Sequence, residues 1–294
     1  MTSNTTPPVH KTFKLYLGGK FPRSESGRTL PLLDPRGKSD VALSQIARGS
    51  RKDVRNAGEV ARKAFAGWSS TTALLRGQIL HRMAEMVHTR SSELGELLVH
   101  YCASTAAQAR SEVEIAADRL LWYAGWCDKL AQVLGTVNPV AGPYFNFSMP
   151  EATGVIAALP PARPALLGLV SIVAPLLVPG NTTVVVCPIE AAPLAITFAE
   201  ICATSDLPGG VVNIVTGTRQ ELLAHVATHR EFDGTILVSS DDDELTLVER
   251  EAADHVKRQL SLAEATPAWW RKSDAQDLRF VQAFVEIKTA WHTM

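Results

Sequence analysis

The 294-residue sequence is 46% hydrophobic and 20% charged with a net charge of −1, so it can build a substantial core but offers no electrostatic footprint for nucleic acid or an acidic membrane. Four widely spaced cysteines (Cys102, Cys127, Cys187, Cys202), with no CxxC pair, read as reduced cytoplasmic thiols rather than a disulfide frame or zinc site. Met1 to Lys11 lacks the apolar segment of a secretion signal, and the longest apolar stretch, Ala165 to Val178, contains Pro175 and is too short to span a bilayer.

Phe13 to Phe21 alternates and turns at Gly18-Gly19, predicting a small hairpin with a further strand near Leu30–Leu33. Asp34-Pro35-Arg36-Gly37 is turn chemistry. A helix is predicted from Asp53, with Val54, Ala57, Ala61 and Phe65 on one stripe, ending at Gly67-Trp68. A second runs from about Thr72 to Val99, placing Leu75, Ile79, Met83, Met86, Leu94 and Leu97 inward and Arg76, Arg82 and Arg90 outward. A third, from about Ala106 to Leu134, carries Val113, Ala117, Leu120, Leu121 and Ala124 on one side until Asn138-Pro139 and Gly142-Pro143 break it.

Beyond the strand-like run from Tyr144 to Met149, apolar strands near 154–159, 183–187, 211–215 and 234–238 alternate with helices near 164–178, 191–204 and 219–229. Strands that are apolar throughout are covered on both faces. The expected fold is α/β: a doubly wound, Rossmann-like parallel sheet with an N-terminal helical layer.

Three short segments carry chemistry that can be weighed residue by residue. Cys187 ends a valine run and reads as a buried thiol, because no His or Lys adjoins it in sequence to activate it. His225 and His229 are spaced i, i+4 on a helix, but without a third ligand they read as a surface pair and no metal is expected. Gly217-Thr218-Arg219 is a strand-end glycine turn lacking the further glycines of a dinucleotide fingerprint.

The order of several segments resembles the aldehyde dehydrogenase family. They are Lys63–Trp68, Arg76–Leu80, Glu112-Val113, Tyr123–Trp126, Gly154–Pro160, Pro179–Glu190 and Leu207–Gly217. The resemblance implies a cofactor-binding-type domain over 13–280, preceded by a disordered tail (1–12), with oligomerisation strands at 138–150 and 281–294. It also implies NAD(P)-dependent aldehyde oxidation through a nucleophilic cysteine and a glutamate base.

At the positions where that chemistry resides, the sequence departs from the family pattern. Pro160-Pro161-Ala162-Arg163-Pro164 replaces Pro-Trp-Asn-Phe-Pro, so Ala162 cannot supply the oxyanion amide, a loss on the order of 10²–10³ in rate. Cys187-Pro188-Ile189-Glu190 keeps the ribose glutamate and loses the lysine. Ser239-Ser240-Asp241-Asp242-Asp243-Glu244 places four carboxylates where a helix start meets the pyrophosphate, which suits the helix dipole and repels the ligand. Ser261 stands in the place of the general base, with Glu264 three residues away, and no cysteine follows Pro267. Phe284–Trp291 is similar to the family's last strand, so the catalytic domain is expected to be excised and the assembly elements kept. This pattern resembles the cysteine-less C-terminal domain of the two-domain (family sixteen) aldehyde dehydrogenases.

The expectations are therefore specific. The chain is read as an inactive, self-associating or hetero-oligomeric structural subunit, without catalytic residues and without a cofactor, NAD(P) binding being weakened where it occurs. Glu190 and Gly217 are the vestigial cofactor residues, and Phe145, Phe147, Ile287 and Trp291 are the interface residues, facing either a second copy or a catalytic aldehyde dehydrogenase. The alternatives are an NAD(P)-dependent aldehyde oxidoreductase and a non-catalytic dinucleotide-binding module.

Overall fold

Three short strands open the chain in a computed structural model that describes residues 11–37, 41–263 and 265–293. Most of the expected tail, Glu264 and Met294 lie outside the described residues. Strands β1 (Thr12–Phe13), β2 (Thr29–Leu32) and β3 (Ser44–Ala47) form a small sheet in the order β1-β3-β2. The predicted hairpin is present, with Leu17 bridging Lys20 across Gly18 and Gly19, both at positive φ. Strand β3 has no counterpart in the sequence reading.

Helix α1 (Arg51–Ser69) starts in a capping box: the Asp53 carboxylate accepts from the Ser50 amide at 2.8 Å while the Ser50 hydroxyl accepts from the Asp53 amide at 3.3 Å. The predicted second helix is two, α2 (Ala73–Thr89) and α3 (Ser91–Cys102). The chain turns at Arg90, whose guanidinium bridges Glu93 beside it and Glu200 across the fold at 2.7 Å each. The predicted third helix also divides, into α4 (Ala106–Ala124) and α5 (Leu130–Leu134), around a turn at Gly125–Lys129.

Three side chains point opposite to expectation. Leu75 and Leu121 are exposed, and Arg76 is buried. Arg76 is drawn inward by carbonyls, donating to Val178 O at 3.1 Å, to Ser69 O at 3.4 Å and to Thr71 O. These acceptors lie at or just beyond helix ends, where carbonyls lack intrahelical partners, and no apolar periodicity reports them.

Next come β4 (Thr136–Asn138), β5 (Tyr144–Ala152), β6 (Val155–Leu159), α6 (Ala165–Leu177), β7 (Thr182–Cys187), α7 (Ala192–Thr204), β8 (Val212–Thr216), α8 (Arg219–Thr228), β9 (Gly234–Leu237), α9 (Asp242–His255) and β10 (Arg258–Ser261). Strands β6 to β10 are all parallel, in the order β10-β9-β6-β7-β8, so the predicted doubly wound sheet is present. Strands β6 to β9 are buried along their whole length, as apolar runs require, while the half-buried edge strand β10 carries no apolar run. One face packs against α6 and α7, over which α2, α3 and α4 are layered, the other against α1, α8 and α9. Strand order reverses between β6 and β9, the topological switch point at which such sheets open a ligand crevice.

A short helix, α10 (Arg279–Gln282), leads into β11 (Val285–Thr293), which pairs antiparallel with β5 from Val285↔Ala152 to Thr293↔Tyr144. Strand β4 pairs with the other edge of β5, giving the order β11-β5-β4. Alternation along paired strands splits the four interface candidates between two faces. Phe145 and Phe147, with ring centroids 5.3 Å apart, share one face with Met149 and Val137. Ile287 and Trp291 lie on the other, where Trp291 meets Tyr144 edge-on at 5.9 Å. Val137, Phe145, Phe147 and Met149 thus form a continuous apolar sheet face, with Ile287 and Trp291 on the opposite side.

Candidate functional site

The loops that follow β6, β7, β8, β9 and β10 converge on one cavity of about 440 Å³ at the switch point. Ala162, Glu190, Gly217, Arg219, Ser239, Asp241 and Glu244 line it. The two residues expected to be vestigial cofactor contacts are therefore brought together: Glu190 exposes its carboxylate beyond β7 and Gly217 closes the turn after β8. Gly217 sits in close quarters, a Cβ there lying 3.1 Å from the Leu222 Cδ1 and 3.6 Å from the Gly49 backbone. Its amide donates to Cys187 O at 3.2 Å, tying β8 to β7.

The expected acidic helix start takes a definite geometry. Asp241 caps α9, its carboxylate accepting from the amides of Asp243 (2.9 Å) and Glu244 (3.2 Å). Glu244 turns inward, accepts from the Ser239 hydroxyl at 2.6 Å and pairs with Arg219 at 3.3 Å. Arg219 also donates to Pro160 O at 2.7 Å and Val238 O at 2.9 Å, so one guanidinium spans the ends of β6 and β9. Reading Gly217-Thr218-Arg219 as a weak glycine turn missed this residue, whose role depends on loops distant in sequence.

No thiol opens on the cavity. Cys187, the nearest in sequence to its lining, is 1% exposed and donates to Pro188 O at 3.4 Å. Burial pushes all four thiols upward, to about 12 for Cys102 and Cys127 and further for Cys187 and Cys202. A thiol in that state is not a nucleophile at neutral pH. An aromatic disulfide reagent is accordingly expected to modify none of the four in the native protein and all four after unfolding in denaturant. Stoichiometric labelling of one thiol within minutes in buffer at neutral pH would contradict this assignment.

His225 and His229 are partly buried, and burial is the main cause holding each below the usual imidazole range. The His229 Nδ1 accepts from the Glu231 amide at 3.3 Å. Among the described residues no group of three His, Cys, Asp or Glu side chains could hold a metal ion. None of the described helices is long and apolar enough to cross a membrane.

The sequence matches the Aldehyde dehydrogenase family over residues 21–283. It is 31% identical over 239 residues to hydroxyisobutyraldehyde dehydrogenase of Mycolicibacterium austroafricanum, covering 81% of this chain and 45% of that one. It is 32% identical over 233 residues to aldehyde dehydrogenase family 2 member B4 of Arabidopsis thaliana, covering 78% and 42%. Among solved structures, HpcC of Thermus thermophilus superposes with a TM-score of 0.79 at 29% identity, covering 85% of this chain and 48% of that one. PnpE in complex with nicotinamide adenine dinucleotide superposes with a TM-score of 0.78 at 26% identity, covering 84% and 50%. The chain thus spans about half the length of the relatives it matches.

The PnpE complex overturns the expectation that this fold is without a cofactor: a related structure holds the dinucleotide, and both the family and that complex point to NAD(P). The residues present fit such a ligand in part. Glu190 offers an exposed carboxylate to ribose hydroxyls and Arg219 offers a cation, whereas the α9 amides are taken by Asp241. By the match over residues 21–283, the chain belongs to the aldehyde dehydrogenase family.

Proposed function

We propose that this chain is a non-catalytic member of the family that takes NAD(P) into its cleft and serves as a structural or regulatory subunit. It associates through the β11-β5-β4 sheet with a second copy or with a catalytic aldehyde dehydrogenase. The observation that carries the reading is the burial of all four thiols, none of which lines the cavity, with a raised pKa for each. Two replacements agree with it: Ala162 supplies no side-chain donor beside the cavity, and Ser261 at the end of β10 is no general base. NAD(P) enters the reading through the PnpE complex and through Glu190. Four free cysteines suit the reducing cytoplasm.

The assembly half rests on the apolar face of β4 and β5, where Val137 is 68% exposed, Met149 49% and Phe145 44%. Aromatic anchors on such a face supply most of an interface's energy. Replacing Phe145 and Phe147 together by Asp is expected to weaken association at least ~100-fold, read as a shift from oligomer to monomer by light scattering. Wild-type protein that stays monomeric at high micromolar concentration while binding NAD(P) supports instead a free-standing dinucleotide-binding module.

A second reading, an active NAD(P)-dependent aldehyde oxidoreductase, is favoured by the curated relatives, which are named as aldehyde dehydrogenases. Absorbance of reduced nucleotide during incubation with NAD or NADP and a panel of aldehydes decides between the two. No turnover is expected, and turnover abolished by Cys187→Ala would establish the second reading.

A further inference from the structure

We propose that Arg219 is the phosphate-binding residue of the cleft and that a dinucleotide takes it over from Glu244. The inference rests on the cofactor reading above. Among the described residues lining the cavity, three carboxylates (Glu190, Asp241 and Glu244) accompany one cation, Arg219. A pyrophosphate cannot be held against three carboxylates without an opposing charge, because like charges in a partly desolvated crevice repel strongly. The backbone alternative at α9 is closed, since the amides of Asp243 and Glu244 already donate to Asp241. Charge balance therefore points to Arg219.

The present contacts of Arg219 show how the exchange can occur. Its bonds to Pro160 O at 2.7 Å and Val238 O at 2.9 Å are short and hold the side chain across the switch point. Its contact with Glu244, at 3.3 Å, is the longest of the three and the only one to a charged group. A guanidinium has five donors and engages phosphate oxygens in pairs, so a phosphate, itself an anion, can compete with the Glu244 carboxylate for Arg219 without breaking the carbonyl bonds. Glu244 keeps a partner when Arg219 turns away, because the Ser239 hydroxyl donates to it at 2.6 Å. Arg163, on the loop after β6, is the neighbouring cation, but it is exposed and not among the residues lining the cavity.

Calorimetric titration of the full chain with NAD and with adenosine tests the assignment, because adenosine lacks the phosphates. Arg219→Ala is expected to weaken NAD about tenfold or more while adenosine changes less than about twofold, the difference being a charge-assisted pair. Glu244→Gln removes the competing charge and is expected to tighten NAD severalfold. Arg219→Lys keeps the charge without the fork and is expected to fall between wild type and Arg219→Ala. Unchanged NAD affinity in Arg219→Ala overturns the proposal, and so does loss of NAD binding in Arg163→Ala with Arg219→Ala unaffected. An equal loss of NAD and adenosine in Arg219→Ala also overturns it, because that marks collapse of the cleft. Wild-type protein that binds neither ligand at millimolar concentration overturns the cofactor reading itself.

Discussion

Gly154→Ala is expected to destabilise the fold by about 4 kcal/mol, seen as a lowering of Tm of roughly 10 °C. Two independent causes act at this position. Its φ of 146° lies in a region reserved for glycine. A Cβ there also falls 1.9 Å from Asp233 Oδ2 and 2.6 Å from its Cγ. The carboxylate cannot simply step aside, since it accepts from the Val155 amide and from Arg62, each at 2.7 Å. Gly27→Ala serves as the comparison: φ is 66° and nothing lies within 4 Å of the added atom, so only backbone strain of about 1 kcal/mol is expected. Equal losses in urea denaturation of the two variants would rule out the clash with Asp233.

The same junction connects the parallel sheet to the β11-β5-β4 sheet. Asn181, fully buried, accepts from the Gly154 amide through Oδ1 and donates through Nδ2 to Phe284 O, both at 2.9 Å. Phe284 immediately precedes β11, and its ring lies against Gly234, where a Cβ falls 2.9 Å from it. One side-chain amide therefore holds the start of β6 against the start of β11. Damage at Gly154 is transmitted to the strand that carries Ile287 and Trp291, so association is expected to weaken along with stability in Gly154→Ala.

What the sequence revealed and what it concealed follows from the range of the interactions involved. Strands β6 to β9 were legible because burial on both faces demands uninterrupted apolar runs, such as the Val184-Val185-Val186 stretch. Strand β10, with the sequence Arg-Gln-Leu-Ser, and strand β3, with Ser-Gln-Ile-Ala, carry no such run; the first lies at a sheet edge, and in the second the buried Ser44 hydroxyl is matched by the distant Tyr101 hydroxyl at 2.8 Å. Helix breaks at Arg90 and Gly125 were hidden because apolar periodicity continues across them, while the turn at Arg90 is fixed by an ion pair to Glu200 on α7. Arg119 illustrates the same limit. It lies on a helix and is 1% exposed, yet the groups that receive its guanidinium, Ser171 Oγ at 2.6 Å and Lys272 O at 3.4 Å, come from elements far along the chain. Glu190 and Gly217, singled out by local motif order, both line the cavity. Arg219 was not singled out, because its importance arises only when the ends of β6 and β9 meet around it.

Glu112 supplies the second large expected effect and a test in pH. Its carboxylate, 4% exposed on α4, accepts from the Leu166 amide at 2.9 Å and the Leu167 amide at 3.3 Å. These are among the first donors of α6, a wholly buried helix whose cap residue, Pro164, provides no side-chain acceptor. Glu112→Ala strands both amides where water cannot replace the acceptor, a cost of about 3 kcal/mol. Because α6 follows directly from the Pro160–Pro164 loop that walls the cleft, nucleotide affinity is expected to fall as well. Glu112→Gln keeps an acceptor oxygen and removes the charge, so it is expected to lie close to wild type at low pH. Burial is the largest influence on this carboxyl and raises its pKa, although the two amides and Arg271 at 3.9 Å pull downward. For an acid whose folded pKa is raised, the native state holds the proton more tightly. The associated stability is complete below the ordinary carboxylate range and is lost as pH rises through the folded value. Stability of Glu112→Gln relative to wild type should therefore increase from mildly acidic to neutral pH in parallel denaturation series, and a relative stability that decreases over that interval would show that the two amide bonds outweigh burial at this carboxylate.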